Sequence, residues 1–478
     1  SSQMDANLQA DGAVGYLEWI MTFQNDHQWL DREARCQIQL PPGGVVSRLT
    51  LWIDGQECEA AFGGRNQTKG AYKSVVQRRR DPVLVTTKGP DQVLVQCFPV
   101  PENGGKMKIR LGITFPLNLL SKEQALLQLP YINERNFQIP ESTEHQLWIE
   151  ADGPLSAKLD LNTEVHEDKY SIRGAISNQQ LEQQLASIHL QRNPDTMSVW
   201  AKREFDDDQV TVVQALHNTK GNAQINKAVI VIDTSRSMKS HIQKIISALE
   251  ELKQDFKVEL IAADDIPNYQ STPYEVSREY LRKYPFKGGK DNIPALIQAW
   301  DSASEAENAA VIWIHGPQPH IFGSVDPLLQ RWMRRPGGPK LIHLQTAPGP
   351  NKIIEELDSI PHVSVIARSS DIQDDLKRIF GQLNGTIPTY KMSREYIAAD
   401  TIDQSYPRAS SHIVRLWAKE QVDQLRIKRG SANEENAKAI AVKHQLVTPV
   451  SGAVVLENKA QYDQHNLQPA DPETVPTI

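Results

Sequence analysis

The clearest change in the hydrophobic pattern of the chain begins at Lys227. Residues 228–232 are all apolar, as a strand buried on both faces of a parallel sheet requires. The run ends at Asp233, a polar loop follows to residue 237, and from Met238 the apolar residues recur at helical spacing. Further apolar runs alternate with helical stretches up to Leu383. This pattern predicts a parallel sheet with helices on both faces, and ligands of such sheets bind beyond the carboxyl ends of the strands.

The rest of the chain is dominated by short strands. Apolar and polar residues alternate most clearly in Lys108–Phe115, and turn signals between such runs predict an all-β sandwich before residue 150. Residues 69–80 lack this alternation and are predicted to form a helix that ends before Asp81-Pro82. Residues 150–220 are again strand-rich. After residue 383 the pattern predicts two helices and a strand pair, at 413–425, 431–441 and 447–456.

Together these elements predict a multidomain α+β chain. It combines an N-terminal β-sandwich, a β-rich composite domain and an inserted α/β domain that is doubly wound and Rossmann-like. Insertion is feasible because the two ends of a doubly wound domain can lie close together. The last segment carries three prolines among polar residues and is predicted to be a disordered linker. The predicted boundaries are 10–150 for the sandwich, 151–222 with 384–457 for the composite domain, 223–383 for the inserted domain and 458–478 for the linker.

Composition narrows the range of partners. The net charge of -7 argues against a nucleic-acid partner, which would require a basic surface. No apolar stretch approaches the roughly 18 residues that a membrane span needs, so membrane contact is expected only through segments outside this chain. The cysteines Cys36, Cys58 and Cys97 lie in strand-like patterns and are expected to be small buried side chains, with at most one disulfide among them.

The N-terminal region resembles a known family. It carries, in this order, EARCQIQLPPGG, GAYKSVVQRRRDPVLV and VLVQCFPVPENGGKMKIRLGITF. An alanine-tyrosine helix and an Arg-Asp-Pro turn followed by a proline-rich hairpin look like the vault protein inter-alpha-trypsin (VIT) domain. This resemblance covers about the first quarter of the chain.

The strand that ends at Asp233, its Asp-x-Ser-x-Ser loop and the helix after it resemble a von Willebrand factor type A (VWA) domain. Farther on, YPRASSHIVRLWAKEQVDQL and KHQLVTPVSGAVVLE are similar to the segment after the VWA domain of inter-alpha-trypsin inhibitor heavy chains. Bacterial proteins of this VIT-plus-VWA kind, PEP-CTERM-like members among them, are often held at a membrane by terminal helices. The resemblance therefore implies an extracytoplasmic place, periplasmic or at the cell surface, and a membrane anchor outside this chain.

A VWA domain also implies a divalent cation at its metal-ion-dependent adhesion site (MIDAS). There a carboxylate and two hydroxyls of the first loop are joined by a threonine and an aspartate from two other loops. Asp233, Ser235 and Ser237 match the first loop, but Lys290 replaces the threonine and His315 replaces the second aspartate. Both changes argue against Mg²⁺, because an ammonium has no lone pair to donate and imidazole suits softer metals.

Three arrangements of this site follow from the sequence. The first, which we favour, is an ion pair in which the Lys290 ammonium neutralises Asp233, so that no cofactor is needed. The second is a retained Mg²⁺ on Asp233, Ser235 and Ser237. The third is a zinc-like site on Asp233, His315 and His320, which the ammonium would disfavour. A simpler interpretation, in which Asp233 only caps the following helix, explains that residue alone.

Enzyme motifs are absent from the sequence. It contains no Gly-x-Ser-x-Gly, His-Glu-x-x-His or Walker motif, and Ser235 replaces the second acid of a haloacid dehalogenase-type phosphatase. We therefore expect a non-enzymatic protein-binding or adhesion module. The alternatives are a structural scaffold with a vestigial VWA site and a Mg²⁺-dependent adhesion protein with an atypical site. The expected binding rim contains Asp233, Ser235, Ser237, Lys290, Asp291, His315 and His320.

Overall fold

The fold was described from a computed structural model, which divides the chain into two compact units. The first unit comprises Ser1–Leu181, Leu185–His217 and Lys391–Ile478, and the second comprises Glu182–Gln184 and Asn218–Tyr390. We call them the β-rich unit and the α/β unit. The structure describes residues 1–76, 82–167, 169–183, 187–205, 208–219, 225–251, 256–264, 274–335, 337–357, 363–365, 371–398, 401–403, 405–428 and 430–471.

Strands outnumber helices in the described ranges. The strands are β1 (Ser2–Gln9), β2 (Val14–Asn25), β3 (Arg32–Gln39), β4 (Val45–Ile53), β5 (Gln56–Glu59), β6 (Ala61–Gly64), β7 (Val83–Thr87), β8 (Gln92–Val100), β9 (Gly105–Pro116), β10 (Asn118–Leu119), β11 (Gln124–Leu127), β12 (Tyr131–Arg135), β13 (Glu144–Ala151), β14 (Leu155–Ala157), β15 (Asn162–His166), β16 (Lys169–Ser177), β17 (Ile188–Gln191), β18 (Ser198–Phe205), β19 (Asp208–Thr219), β20 (Lys227–Asp233), β21 (Lys257–Ala263), β22 (Ala309–His315), β23 (Lys340–Gln345), β24 (Val363–Val365), β25 (Thr389–Ile397) and β26 (Ser451–Val455). The helices are α1 (Arg65–Val76), α2 (Asn178–Glu182), α3 (Ile242–Glu250), α4 (Tyr274–Lys283), α5 (Ile293–Ala303), α6 (Asp326–Arg334), α7 (Lys352–Glu356), α8 (Ile372–Leu383), α9 (His412–Lys428), α10 (Ser431–Lys443) and α11 (Lys459–Gln464). None of these helices is long and apolar enough to cross a membrane.

The largest sheet of the β-rich unit has eight strands, in the order β15-β16-β13-β1-β2-β9-β4-β5. Its longest pairing joins β2 to β9 in antiparallel register, with Trp19 opposite Leu111. Both of these side chains are fully buried. Alternate residues of the two strands therefore line a core, as the alternating sequence pattern predicts.

A six-stranded sheet, in the order β12-β3-β8-β7-β26-β6, joins the two ends of the β-rich unit. Ala453 of β26 pairs with Phe62 of β6 on one side and with Val85 of β7 on the other. The strand pair predicted at 447–456 is therefore wrong, because the one strand there inserts between two N-terminal strands. For the same reason the predicted sandwich and composite domain fall in one compact unit instead of two.

The C-terminal helices pack on the same unit. Tyr462 of α11 and Leu467 are buried in a cluster with Val454 and with Tyr72 of α1. The prediction of a disordered linker is therefore wrong for residues 458–471, and residues 472–478 lie outside the described residues. Composition gave the wrong answer because two apolar side chains among many polar ones are enough to dock this segment.

Two other sequence predictions concern local features. The helix predicted at 69–80 runs instead from Arg65 to Val76, and residues 77–81 lie outside the described ranges.

The three cysteines are free and buried, which confirms their predicted role as small core side chains. Burial raises the pKa of the Cys36 thiol to about 12, so this thiol is inert at neutral pH.

The α/β unit is built on a parallel sheet of five strands, in the order β21-β20-β22-β23-β24. Residues of β20 alternate between two cores. Ile230 and Ile232 pack with α3 and α8, whereas Val229 and Val231 pack with α5, α6 and α7. The continuous apolar run thus serves two faces at once, as predicted.

Strand β20 also marks the point where the strand order reverses. Its chain neighbour β21 lies on one side, and the next strand, β22, lies on the other. The loops that leave β20 and β22 therefore diverge and open a crevice at the carboxyl edge of the sheet. Asp233 stands at this edge.

The paired position of β26 generates a testable prediction. Ala453→Asp places a carboxylate in a fully buried sheet position, and we expect it to lower the free energy of unfolding of the β-rich unit by about 3–5 kcal/mol. Ala460→Asp on the exposed surface of α11 makes the same chemical change and should cost within about 0.5 kcal/mol. Urea unfolding followed by circular dichroism measures both. Equal costs would show that β26 is dispensable.

Candidate functional site

The candidate site is built around the carboxylate of Asp233. This residue is the last of β20, and none of its surface is exposed to solvent. A carboxylate removed from water requires hydrogen-bond donors or a cation nearby. The identity of those donors therefore decides what the site can bind.

Three loops supply hydrogen bonds to Asp233. In its own loop, Ser235 donates its backbone N–H to Oδ1 (3.0 Å) and its hydroxyl to Oδ2 (2.8 Å). After β22, the backbone N–H of Gly316 and the amide Nε2 of Gln318 donate to Oδ2, at 3.2 and 3.1 Å. Before α5, Asn292 Nδ2 donates to Oδ1 at 3.3 Å. Both oxygens are thus satisfied by neutral donors.

The orientation of the Asn292 amide is fixed by its other partners. Its Oδ1 accepts a hydrogen bond from Trp313 Nε1 (2.9 Å), which can only donate. Its Nδ2 also donates to the carbonyl of Lys290 (3.1 Å), which can only accept. The amide nitrogen, and not the oxygen, must therefore face Asp233. A cation at Asp233 would meet this N–H group instead of an oxygen.

The loops around Asp233 also contact one another directly. Ser237 is exposed, and its hydroxyl lies 2.9 Å from that of Ser235. A Cβ on Gly316 would collide with the Ser237 hydroxyl, so only glycine allows this approach. The backbone of Gln318 bonds to the loop before α7. Its carbonyl accepts a hydrogen bond from Lys352 N (2.9 Å), and its N–H donates to the Pro350 carbonyl (2.7 Å).

Lys290 does not neutralise Asp233, so the predicted ion pair is wrong. Its ammonium instead pairs with Asp264 Oδ1 at 2.7 Å. Asp264 directly follows β21, whose last residue lies beside Asp233 in the sheet, and it also accepts a hydrogen bond from the Tyr284 hydroxyl. The lysine is therefore held by the neighbouring strand end, where a second carboxylate was available.

His315 is fully buried, and its ring contacts groups other than those of the predicted zinc-like site. Its Nδ1 lies 2.8 Å from the Gly316 carbonyl, so this nitrogen carries the proton, and its Nε2 lies 3.4 Å from His343 Nδ1. Burial lowers the pKa of His343 to about 4, and burial together with His343 holds the pKa of His315 well below its usual value. Both rings are neutral at physiological pH and serve as packing groups, with Trp313 stacked on His315.

The other predicted residues lie on the rim of the crevice. Asp291 accepts a hydrogen bond from the Ile293 backbone N–H (3.0 Å) and so helps begin α5. His320 is exposed, and its ring lies 6.4 Å from that of Phe322. Phe322 is 72% exposed. The structure thus gathers Asp233, Ser235 and Ser237, whereas it separates Lys290, His315 and His320 from that carboxylate.

The donor set does not fit a hard cation. Mg²⁺ takes about six oxygen ligands. At Asp233 the second and third loops direct amide N–H groups, not oxygens, towards the carboxylate. Within the described residues, moreover, no three His, Cys, Asp or Glu side chains come together as metal ligands.

Sequence reasoning missed the residues that close the site. Asn292 and Gln318 are buried and amide-bearing, and each lies close to a position where the VWA resemblance implies a ligand. The sequence signal that could have identified them was an amide side chain in each of these two loops. Asp264 carried a signal too, because an acid after a buried strand lies at the same edge as Asp233.

Comparison with known proteins identifies the N-terminal region. Residues 2–113 match the family model of the vault protein inter-alpha-trypsin domain. This match contains β1–β8 and most of β9, but not β26. No curated protein sequence matches the chain at a significant level.

Several solved structures are similar to the chain at low identity. A von Willebrand factor type A protein from Catenulispora acidiphila is 15% identical over 39% of this chain and 46% of its own, with a TM-score of 0.28. The manganese-loaded TRAP protein of Plasmodium vivax is 12% identical over 39% and 82%, with a TM-score of 0.24. An M1 zinc metallopeptidase from Deinococcus radiodurans is 7% identical over 66% and 55%, with a TM-score of 0.23. The chain thus spans under half of the first of these proteins. The predicted VIT resemblance is confirmed over residues 2–113, and von Willebrand factor type A proteins stand among the structures that the chain resembles.

Proposed function

We propose that the chain is a non-enzymatic protein-binding or adhesion module whose MIDAS-type loop cluster works without a cation. One observation carries this proposal. Both oxygens of Asp233 are occupied by neutral hydrogen-bond donors from three loops, which is the role that a metal ion would otherwise have. The loops are thereby held together, and the rim above them is available for a partner.

The absence of catalysis is part of the proposal. The two hydroxyls of the site, on Ser235 and Ser237, are engaged with Asp233 and with each other. The buried His315 and His343 bond to one another and not to these hydroxyls. Activation of a serine nucleophile needs a base that can take its proton, whereas the Asp233 carboxylate beside Ser235 already accepts hydrogen bonds from two other loops. The polar groups of the site therefore act in positioning the loops.

The rim offers the features of a protein contact. Phe322 exposes most of its ring, with His320 and Ser237 exposed on the loops that meet at the crevice. Aromatic side chains surrounded by polar groups are typical anchors of protein interfaces. By the resemblance to VIT-plus-VWA proteins, we place the chain outside the cytoplasm, at a membrane surface through segments beyond this sequence.

The competing function is a structural scaffold in which the loop cluster is vestigial. The insertion of β26 between β6 and β7 favours it, because the β-rich unit then ties distant parts of the chain into one body. In that case the rim would contact no partner. The two functions differ in whether Phe322 lies at an interface.

The cation-free site predicts the outcome of a metal titration. Calorimetric titration of the chain with Mg²⁺, Mn²⁺ and Zn²⁺ should give no micromolar binding, and EDTA should not change the melting temperature. Micromolar binding that is lost in Asp233→Ala would contradict the proposal and favour the Mg²⁺-dependent alternative.

Asn292 offers a sharper test of the same site. Asn292→Asp sets a second carboxylate beside Asp233, and we expect a loss of about 3 kcal/mol in unfolding free energy at neutral pH. Repulsion raises the pKa of the acid pair in the folded state above its unfolded value, so stability should recover as the pH falls towards that raised pKa. The added oxygens should also make the melting temperature rise with millimolar Mg²⁺.

The matched control for that variant is Asn226→Asp. Asn226 is exposed and precedes β20 at the opposite edge of the sheet, so its variant should respond to neither Mg²⁺ nor acid in this way. Thermal melts across pH and Mg²⁺ concentration measure all three proteins. A Mg²⁺ response in the wild type equal to that of Asn292→Asp would show that a cation already binds.

The rim is tested by site-specific photo-crosslinking in the cells that produce the protein. A photoreactive phenylalanine at position 322 should give an adduct with another protein. The same group at Met333 should not, since Met333 is 47% exposed near the end of α6, which runs to the opposite edge of the sheet. Adducts at neither position, or at both equally, would favour the scaffold.

A further inference from the structure

A second candidate site lies in the β-rich unit, unrelated to the rim. A cavity of about 490 Å³ is lined there by residues of β2, β4, β5 and α9, and by Gln445. This volume falls within the range of small-molecule sites, roughly 300–1,000 Å³. The charges of the residues that line the cavity indicate which kind of ligand it would bind.

One wall of the cavity is acidic but internally paired. Arg48 contacts Glu18 at 2.7 Å and Glu59 at 2.6 Å. The neighbouring Arg110 contacts Glu18 at 3.1 Å and Glu57 at 2.7 Å. This network contains three carboxylates and two guanidiniums, so its own net charge is one negative unit.

The opposite wall carries a cation without a carboxylate partner. Arg415, in the first turn of α9, donates Nη2 to Gln445 Oε1 (3.1 Å), and its Nη1 lies 3.5 Å from His412 Nδ1. Its Nε is buried without a hydrogen-bond partner. Within the described part of the chain, no acidic side chain is paired with Arg415. Burial, followed by the charges of Arg203 and Arg48, lowers the pKa of Arg415 to about 9, so the guanidinium stays charged at neutral pH.

Gln445 is shared by two guanidiniums. Its Oε1 accepts from Arg203 Nη2 as well as from Arg415, each at 3.1 Å. The two groups that contact the guanidinium of Arg415, Gln445 and His412, are neutral and compensate poorly for its positive charge. An anion beside Gln445 would relieve this charge, and the positive end of α9 would add to its attraction.

The rest of the lining is suited to a small organic group. The rings of Tyr16 and His412 stack with their centroids 4.4 Å apart, and Phe62 contributes apolar surface. Burial, then the charges of Arg415 and Arg203, lowers the pKa of His412 to about 3, so its ring is neutral. The exposed Asp471 also lines the cavity.

We propose that this cavity binds a small organic monocarboxylate, whose carboxylate lies beside Arg415 and Gln445. A planar carboxylate matches the fork of a guanidinium. A dianion such as phosphate or sulfate is disfavoured, because the network of Glu18, Glu57 and Glu59 with its two arginines retains a negative charge.

The test compares anions on the whole chain at constant ionic strength. Acetate, lactate, benzoate, sulfate and phosphate are added as sodium salts against a chloride reference, and melting temperature and calorimetric titration are measured. At least one monocarboxylate should raise the melting temperature and bind with one-to-one stoichiometry, with an affinity about tenfold or more above that of either dianion. No response to any carboxylate, or an equal response to sulfate and phosphate, would overturn the proposal.

Three variants test where in the protein the carboxylate binds. Gln445→Glu supplies a built-in carboxylate between Arg203 and Arg415, so it should raise the melting temperature without ligand and abolish the carboxylate effect. Arg415→Gln should weaken carboxylate binding about tenfold or more. Gln424→Glu makes the same charge change on the exposed surface of α9 and should respond like the wild type. A wild-type response in Gln445→Glu and Arg415→Gln would place the carboxylate elsewhere and contradict the assignment.

Discussion

The arrangement of the α/β loops depends on one requirement, that the buried carboxylate of Asp233 be satisfied. Its two oxygens can accept several hydrogen bonds, and the donors come from three loops, which follow β20, precede α5 and follow β22. Because all three loops bond to the same carboxylate, one side chain fixes their relative positions. A cation would achieve the same by binding oxygens. In this structure hydrogen bonds from amide groups hold the loops together.

The sequence was sufficient to predict the architecture around this carboxylate. A five-residue apolar run, an abrupt acid and a helical stripe have few other structural solutions, so β20, its loop and α3 were predictable. The partners of Asp233 were not. Position in a motif suggested Lys290, but an ammonium binds whichever carboxylate is within reach, and Asp264 on the adjacent strand end was nearer in the fold. Asn292 and Gln318 carry no charge, so their amide side chains in the loops were a weaker signal than the charged residues beside them.

The two units deal with buried charge in different ways. In the α/β unit the single negative charge of Asp233 is surrounded by neutral donors, and the two nearby histidines are kept neutral by burial. In the β-rich unit Arg48 and Arg110 form a network with three carboxylates, whereas Arg415 has only neutral partners. A fully satisfied network mainly holds a structure in place, while an incompletely compensated charge favours binding of a counter-ion. In the cavity of the β-rich unit, this contrast distinguishes the paired network of Arg48 and Arg110 from Arg415, beside which we propose that a ligand binds.

The place of β26 has a consequence for how the protein is made. During translation β6 and β7 are synthesised before the α/β unit, whereas β26, which fills the gap between them, is synthesised after it. The nascent chain must therefore carry two open sheet edges while the α/β unit is synthesised, and unpaired edges invite aggregation. The parallel sheet of the α/β unit draws all its strands from one continuous stretch and can close before then. Completion of the N-terminal sheet thus waits until the α/β unit has been synthesised, which makes holding by chaperones a built-in need of this topology.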